Sequence, residues 1–226
     1  MSSREAFLDR VRQAADQGRP YRVPLRPVPE GIGYVGADGD LCEQFAAEVN
    51  AVGGEAFVVA DFAAAGHQLH QLLAEAGAKS AVCWQHELLD RLGLADLLAA
   101  PGVALFDYAR LAAMPADERR QTLLSCDVGI TSCDCAIAET GTLMMCSRFG
   151  QERVASLLPP MHIAVVERQQ IVPDLIDAFR LLEDRGLDQL PSNVTWITGP
   201  SKTGDIELQL TTGVHGPGKW RVIVVQ

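Results

Sequence analysis

Lys202 is one of only three lysines in the chain, with Lys79 and Lys219, and it stands in a segment whose composition suits anion binding. The run Gly199-Pro200-Ser201-Lys202-Thr203-Gly204-Asp205 follows the apolar stretch Val194-Thr195-Trp196-Ile197 and reads as a strand emptying into a polar loop. Backbone N–H groups, hydroxyls and a cation can converge on an anion at such a strand end. Lys202→Ala is therefore expected to weaken ligand binding and to leave the free protein's stability nearly unchanged. The alternative is a surface turn, because Gly and Pro supply special backbone angles and Ser bonds its own backbone. The nucleotide P-loop pattern is excluded, since it needs Gly where Trp196 and Ser201 stand.

Glu139 is the first choice for a catalytic carboxylate. It lies between the apolar Ala136-Ile137-Ala138 and the turn Thr140-Gly141-Thr142, where glycine leaves backbone N–H groups accessible. Such a group can act as base, nucleophile or hydrogen-bond acceptor, or it can simply bond the turn it occupies. His162 opens a strand after Leu158-Pro159-Pro160-Met161, and His215 sits in Gly213-Val214-His215-Gly216-Pro217. Either ring could shuttle a proton or bind an anion, and either could instead fasten its loop.

The elements that must position these groups alternate. Leu41, Phe45, Val49 and Val52 mark a helix ending at Gly53-Gly54, and Ala56 to Ala60 follows as a buried strand. The unit returns as a helix through Leu69 and Leu73 before Ser80 to Trp84, and as one helix from Leu88 to Leu98 before Val103 to Phe106. A helix with Pro115 near its start leads to Asp127 to Thr131, and a helix capped by Pro173 follows the strand Ile163 to Val166. Strands apolar throughout, separated by helices, predict a three-layer α/β fold on a mainly parallel sheet. The stretch from Ala136 to Met145 has two apolar runs without a helix between them and is expected to form paired strands or a tight bend. The opening segment carries Phe7, Leu8 and Val11 at helical spacing behind a Ser2-x-x-Glu5 capping box. Four prolines between Pro20 and Pro29 then make a connector, so residues 1–30 are expected to be an arm and 31–226 one domain. Gly31-Ile32-Gly33-Tyr34-Val35-Gly36 matches a dinucleotide fingerprint by letters only, because no strand precedes it.

A net charge of −10 argues against nucleic acid as a partner. The longest apolar tract, near Leu92 to Phe106, is broken by Gly93, Asp96, Pro101 and Gly102, which argues against a membrane span. The first residues lack the apolar core of a signal peptide, so a cytoplasmic location is expected. Cys42, Cys83, Cys126, Cys133, Cys135 and Cys146 form no C-x-x-C pair, and Cys133 and Cys135 would face opposite sides of a strand. Reduced, buried thiols are expected, with no metal site and no cofactor.

Four ordered blocks carry a family likeness: Ile137-Ala138-Glu139-Thr140-Gly141-Thr142, Ser156-Leu157-Leu158-Pro159-Pro160-Met161-His162, Gly199 to Glu207, and Gly213 to Pro217. Together they resemble the lactate-utilisation protein C family, the stand-alone LUD-domain proteins. Departures are mild: Gly204 stands where Ala is usual, and Ser132-Cys133 where smaller residues are usual. The resemblance implies a fold like that of coenzyme A transferases, ribose-5-phosphate isomerase and glucosamine-6-phosphate deaminase. It further implies a role in oxidising L-lactate to pyruvate beside an iron–sulfur and a cysteine-rich partner subunit. With no cluster, flavin or nicotinamide motif of its own, the chain would be an accessory or substrate-binding subunit.

The competing reading is an autonomous transferase or isomerase acting on an acyl-coenzyme A or a phosphorylated small molecule, and a third is a small-molecule sensor. All three expect Glu139, Thr140, Gly141, Thr142, His162, Gly199, Ser201, Lys202, Thr203, Asp205, His215 and Gly216 to bind a small anionic ligand or act on it. The bend at Glu139 and the loop at Lys202 are expected to line one cleft at the carboxyl ends of the strands.

Overall fold

The computed structural model describes residues 3–18, 36–37, 39–99, 101–186, 189–204 and 211–226. Ser2 of the expected capping box, the proline-rich connector, most of the Gly31 to Gly36 pattern, and Asp205 lie outside the described residues. The chain divides into two units, 1–35 and 36–226. In the first, α1 (Ser3–Gly18) is a helix whose Phe7 and Val11 are exposed.

In the second unit, Asp40 caps α2 (Leu41–Ala51) by accepting from the amides of Cys42 at 2.9 Å and Glu43 at 3.4 Å. The helix buries Cys42, Phe45, Ala46 and Val49, one stripe at helical spacing, and leads through Gly53-Gly54 into β1 (Glu55–Val59). α3 (Phe62–Ala76) is capped by Asp61 and closed by Gly77 in the left-handed region, φ 59°, before β2 (Ser80–Cys83). The single helix expected over Leu88 to Leu98 is two, α4 (Glu87–Arg91) and α5 (Leu94–Ala99), because Gly93 adopts φ 70° between them. β3 (Ala104–Phe106), α6 (Tyr108–Ala112) and α7 (Ala116–Ser125) lead to β4 (Val128–Thr131). Asp127 accepts from the amides of Lys79 and Ser80 and from the Ser80 hydroxyl, all within 2.9 Å, and so aligns the starts of β2 and β4.

After β4 come the paired strands β5 (Cys135–Ile137) and β6 (Thr142–Cys146), the short helix α8 (Val154–Leu157) and β7 (Met161–Glu167). β8 (Ile171–Val172), α9 (Leu175–Asp184), β9 (Val194–Ile197), the pair β10 (Lys202–Thr203) and β11 (Thr211–Thr212), and β12 (Lys219–Val225) complete the order. Six strands form one sheet in the order β1-β12-β7-β4-β2-β3, with every neighbour parallel. A second sheet has the order β8-β5-β6-β9, in which β6 runs antiparallel to both its neighbours. The result is a three-layer α/β fold on a mainly parallel sheet.

β5 and β6 join two cores. Ala136, Ala138, Leu143 and Met145 pack into the core of the six-stranded sheet, and Cys135, Ile137, Met144 and Cys146 pack with Ala178 and Leu182 of α9. This is the period-two alternation of a strand covered on both faces. Just before β5, the nearly buried Asp134 carboxylate pairs with Arg148 and with Arg185 at 2.7 Å, and accepts from the Cys146 amide. Two guanidiniums and an amide offset the desolvation that an isolated carboxylate would suffer there.

Candidate functional site

β12 must enter the large sheet parallel to β1 and β7, so the chain leaving β9 has to return to the amino edge of that sheet before β12 can begin. The loops from Gly199 to Thr203 and from Gly213 to Pro217 therefore lie at the amino edge. Their mutual bonds fix them there: the Ser201 amide donates to Pro217 O at 2.9 Å, the Gly213 amide to Ser201 O at 2.9 Å, and the Lys219 amide to Pro160 O at 3.2 Å. The expectation of a cleft at the carboxyl ends is corrected accordingly. The loop follows the carboxyl end of β9, but β9 belongs to the second sheet.

The bend at Glu139 comes to the same place because β6 and β9 are antiparallel, which sets the start of one beside the end of the other. Thr140, Thr142 and Thr198 form a chain of hydroxyls with Oγ1 to Oγ1 distances of 2.7 Å at both links. Gly141 has φ 61°, and a Cβ there would stand 2.6 Å from the Val49 amide nitrogen. A Cβ on Gly199 would stand 2.9 Å from Val52 O. Both glycines let the backbone press against the end of α2, which accounts for them by packing.

Two cavities flank β9. One, of about 420 Å³, is lined by Gly199, Ser201, His215 and Gly216 together with Arg153, Ser156, Thr195 and Thr198. The other, of about 430 Å³, is lined by Thr140, Thr142 and Thr198 and by Leu175, Phe179 and Trp196. The rings of Phe179 and Trp196 lie 5.4 Å apart. Trp196 and Thr198 border both spaces.

The remaining residues are placed differently. Lys202 donates from Nζ to Val52 O at 2.6 Å, so its ammonium caps the end of α2 and does not line either cavity. The neighbouring Gly53, φ 93°, leaves room for that ammonium. Thr203 pairs with Thr211 in the β10–β11 ladder. Glu139 is half-buried, and its amide donates to Pro173 O at 3.1 Å. His162 is 1% exposed inside β7, where Nε2 meets Thr131 Oγ1 at 2.9 Å and Nδ1 has no partner among the described residues. Burial drives its pKa from 6.5 down to about 3, so the ring is neutral and walled off from both cavities.

Arg153 and Thr198 escaped the sequence reading. Thr198 was discoverable as the hydroxyl that closes β9, whereas Arg153 carries no local motif and is marked only by its place three residues ahead of the Ser156 to His162 block. At the carboxyl ends of β2 and β3 lies another cavity, of about 310 Å³, lined by Cys83, Trp84, Gln85, Asp90, Asp96 and Asp107. Its three carboxylates meet no cation in the lining, which disfavours an anionic ligand there.

Comparison with known proteins gives concordant results. A crystal structure of a DUF162 family protein from Deinococcus radiodurans superposes with a TM-score of 0.57 at 23% identity, over 82% of this chain and 96% of that one, and so shares the fold. The chain is 38% identical over 152 residues to lactate utilization protein C of Shouchella clausii, a match spanning 66% of this chain and 63% of that protein. It is 32% identical over 160 residues to the protein of the same name from Halalkalibacterium halodurans, over 70% and 67% of the two chains. The protein of that name from Anoxybacillus flavithermus is 29% identical over 98% of both chains. The LUD domain model matches residues 42–225, nearly the whole of the described α/β unit, and the chain belongs to the LUD-domain family.

Proposed function

We propose that the chain is a component of an L-lactate utilisation system, an accessory or substrate-binding subunit that works beside iron–sulfur and cysteine-rich subunits, which carry the electrons. The observation that carries this reading is correspondence along 98% of both chains with a protein named lactate utilization protein C. The site supports it in kind. The cavity at Ser201 and His215 offers hydroxyls, an imidazole and a guanidinium to a small acid. The six cysteines, all buried and serving as core residues, support placing electron transfer on the partners.

The test is reconstitution. Lactate-dependent reduction of an artificial acceptor is measured with the two partner subunits, with and without this chain, and activity is expected to fall when it is omitted. Equal rates with and without it would remove the proposal.

A further inference from the structure

Arg153 is the one Lys or Arg in the lining of the Ser201 cavity, and three basic residues outside the lining are already engaged. Lys202 is engaged by Val52 O. Arg221, on β12, is paired with Glu55 at 2.7 Å. Arg148, upstream on the chain, is held by Asp134. Arg153 lines the cavity, and its guanidinium has no hydrogen-bond or ion-pair partner among the described residues. The lining contains no carboxylate to compete for it.

The hydroxyls divide the same way. Thr195 donates to Asn193 Oδ1 at 2.7 Å, Ser156 to Arg153 O at 3.1 Å, and Thr198 is linked to Thr142. The Ser201 hydroxyl and the His215 ring, by contrast, have no partner among the described residues. Ser201 also adjoins the second loop, since a Cβ on Gly216 would stand 3.4 Å from Ser201 Cβ. The cavity lining thus presents a free guanidinium, a free hydroxyl and a free imidazole, with Leu157, Ile197 and Pro217 supplying apolar surface.

We infer that this cavity binds a 2-hydroxy or 2-oxo acid, with Arg153 holding the carboxylate and Ser201 and His215 holding the neighbouring oxygen. A guanidinium presents paired N–H donors that match a carboxylate in two parallel bonds, which an ammonium cannot do. The adjacent oxygen of such an acid accepts from a hydroxyl or an imidazole N–H, and a 2-hydroxyl can also donate to the ring. The apolar surface receives the alkyl group, and the volume accommodates chains longer than that of lactate. The inference deepens the lactate reading by naming the residues that recognise the acid, and it rests on that reading only for the choice of probes.

The experiment is titration calorimetry on the full chain with L-lactate, pyruvate, L-lactamide and inorganic phosphate. L-lactate or pyruvate is expected to bind and L-lactamide, which lacks the charge, is expected not to. Arg153→Gln should weaken binding roughly ten- to a hundredfold, as loss of a charge-assisted pair does, and Arg153→Lys should recover part of it. Ser201→Ala should weaken it several-fold, and Arg120→Gln, an equal change of net charge on exposed α7, should leave it unchanged. Circular dichroism confirms that each variant is folded. The inference falls if neither acid binds, if L-lactamide binds as tightly as L-lactate, if Arg153→Gln binds as the parent does, or if phosphate alone binds. These outcomes concern the isolated chain, so they are separable from the reconstitution. The recognition residues can fail while the pathway assignment stands, and equal reconstituted rates can remove the pathway assignment while binding through Arg153 stands.

Discussion

His162 is neutral because the sheet gives its charge no solvent, and this makes one residue a source of acid sensitivity. Its pKa falls from 6.5 in an open chain to about 3 in the folded one, so between those values the unfolded state binds the extra proton. Stability from this group is complete above pH 6.5 and declines as pH falls, by about 1.4 kcal/mol per unit, or about 2 kcal/mol by pH 5. Urea unfolding at pH 7 and pH 5 should show the parent losing about that much more than His162→Gln. Equal losses would mean that the ring is not held neutral. Lys202 calls for a different measurement. Because its ammonium caps α2, Lys202→Met should lower the stability of the free protein by about 1 kcal/mol, read as a shift of the urea midpoint at unchanged slope. This reverses the expectation from sequence that its loss would leave the free protein nearly unaffected. An unaltered midpoint would restore the earlier view.

At the scale of elements, the closest fit is between the β5–β6 turn and α2. Gly141→Ala would impose both a left-handed backbone on alanine and a Cβ 2.6 Å from the Val49 amide, and should destabilise by about 2 to 5 kcal/mol. A midpoint shift under a tenth of that size would show that the turn can move off the helix. The first elements of the large sheet were readable from sequence because they repeat one cue, a helical stripe such as Leu41, Phe45 and Val49 followed by a short apolar run. The break at Gly93 was not, since Leu88 to Leu98 keeps its apolar spacing across a residue whose backbone alone turns the chain. For the candidate site, small polar residues behind strand ends pointed to the loops that the structure gathers, with Gly199, Ser201, His215 and Gly216 around one cavity. Which end of the fold they occupy was hidden, because Val194 to Ile197 looks the same in a parallel or an antiparallel sheet. Arg153 was hidden too, since its significance lies in lacking a partner, and only three dimensions reveal that.

Across the α/β unit, β6 is buried on both faces and belongs to two hydrophobic clusters, so neither cluster can loosen without the other. Hydrogen exchange followed by mass spectrometry should therefore give β6 and β7 the same opening free energy, both exchanging by global unfolding. Earlier exchange at 142–146 than at 161–167 would show that the second sheet and α9 open separately. The cysteines distribute the same cooperativity over the chain. All six are buried, and burial raises their pKa values, to about 12 for Cys83 and Cys135 and to about 11 for Cys126. Alkylating and oxidising reagents attack the thiolate, so the thiols of the folded molecule react slowly with them. Cys42 and Cys146, with no exposed surface, become reactive only when the element covering them opens, which makes the rate of labelling at either one a clock for its own region. Oxidation of these two thiols is in that sense a record of how often their surroundings open, and a ligand that holds the fold closed acts as their antioxidant.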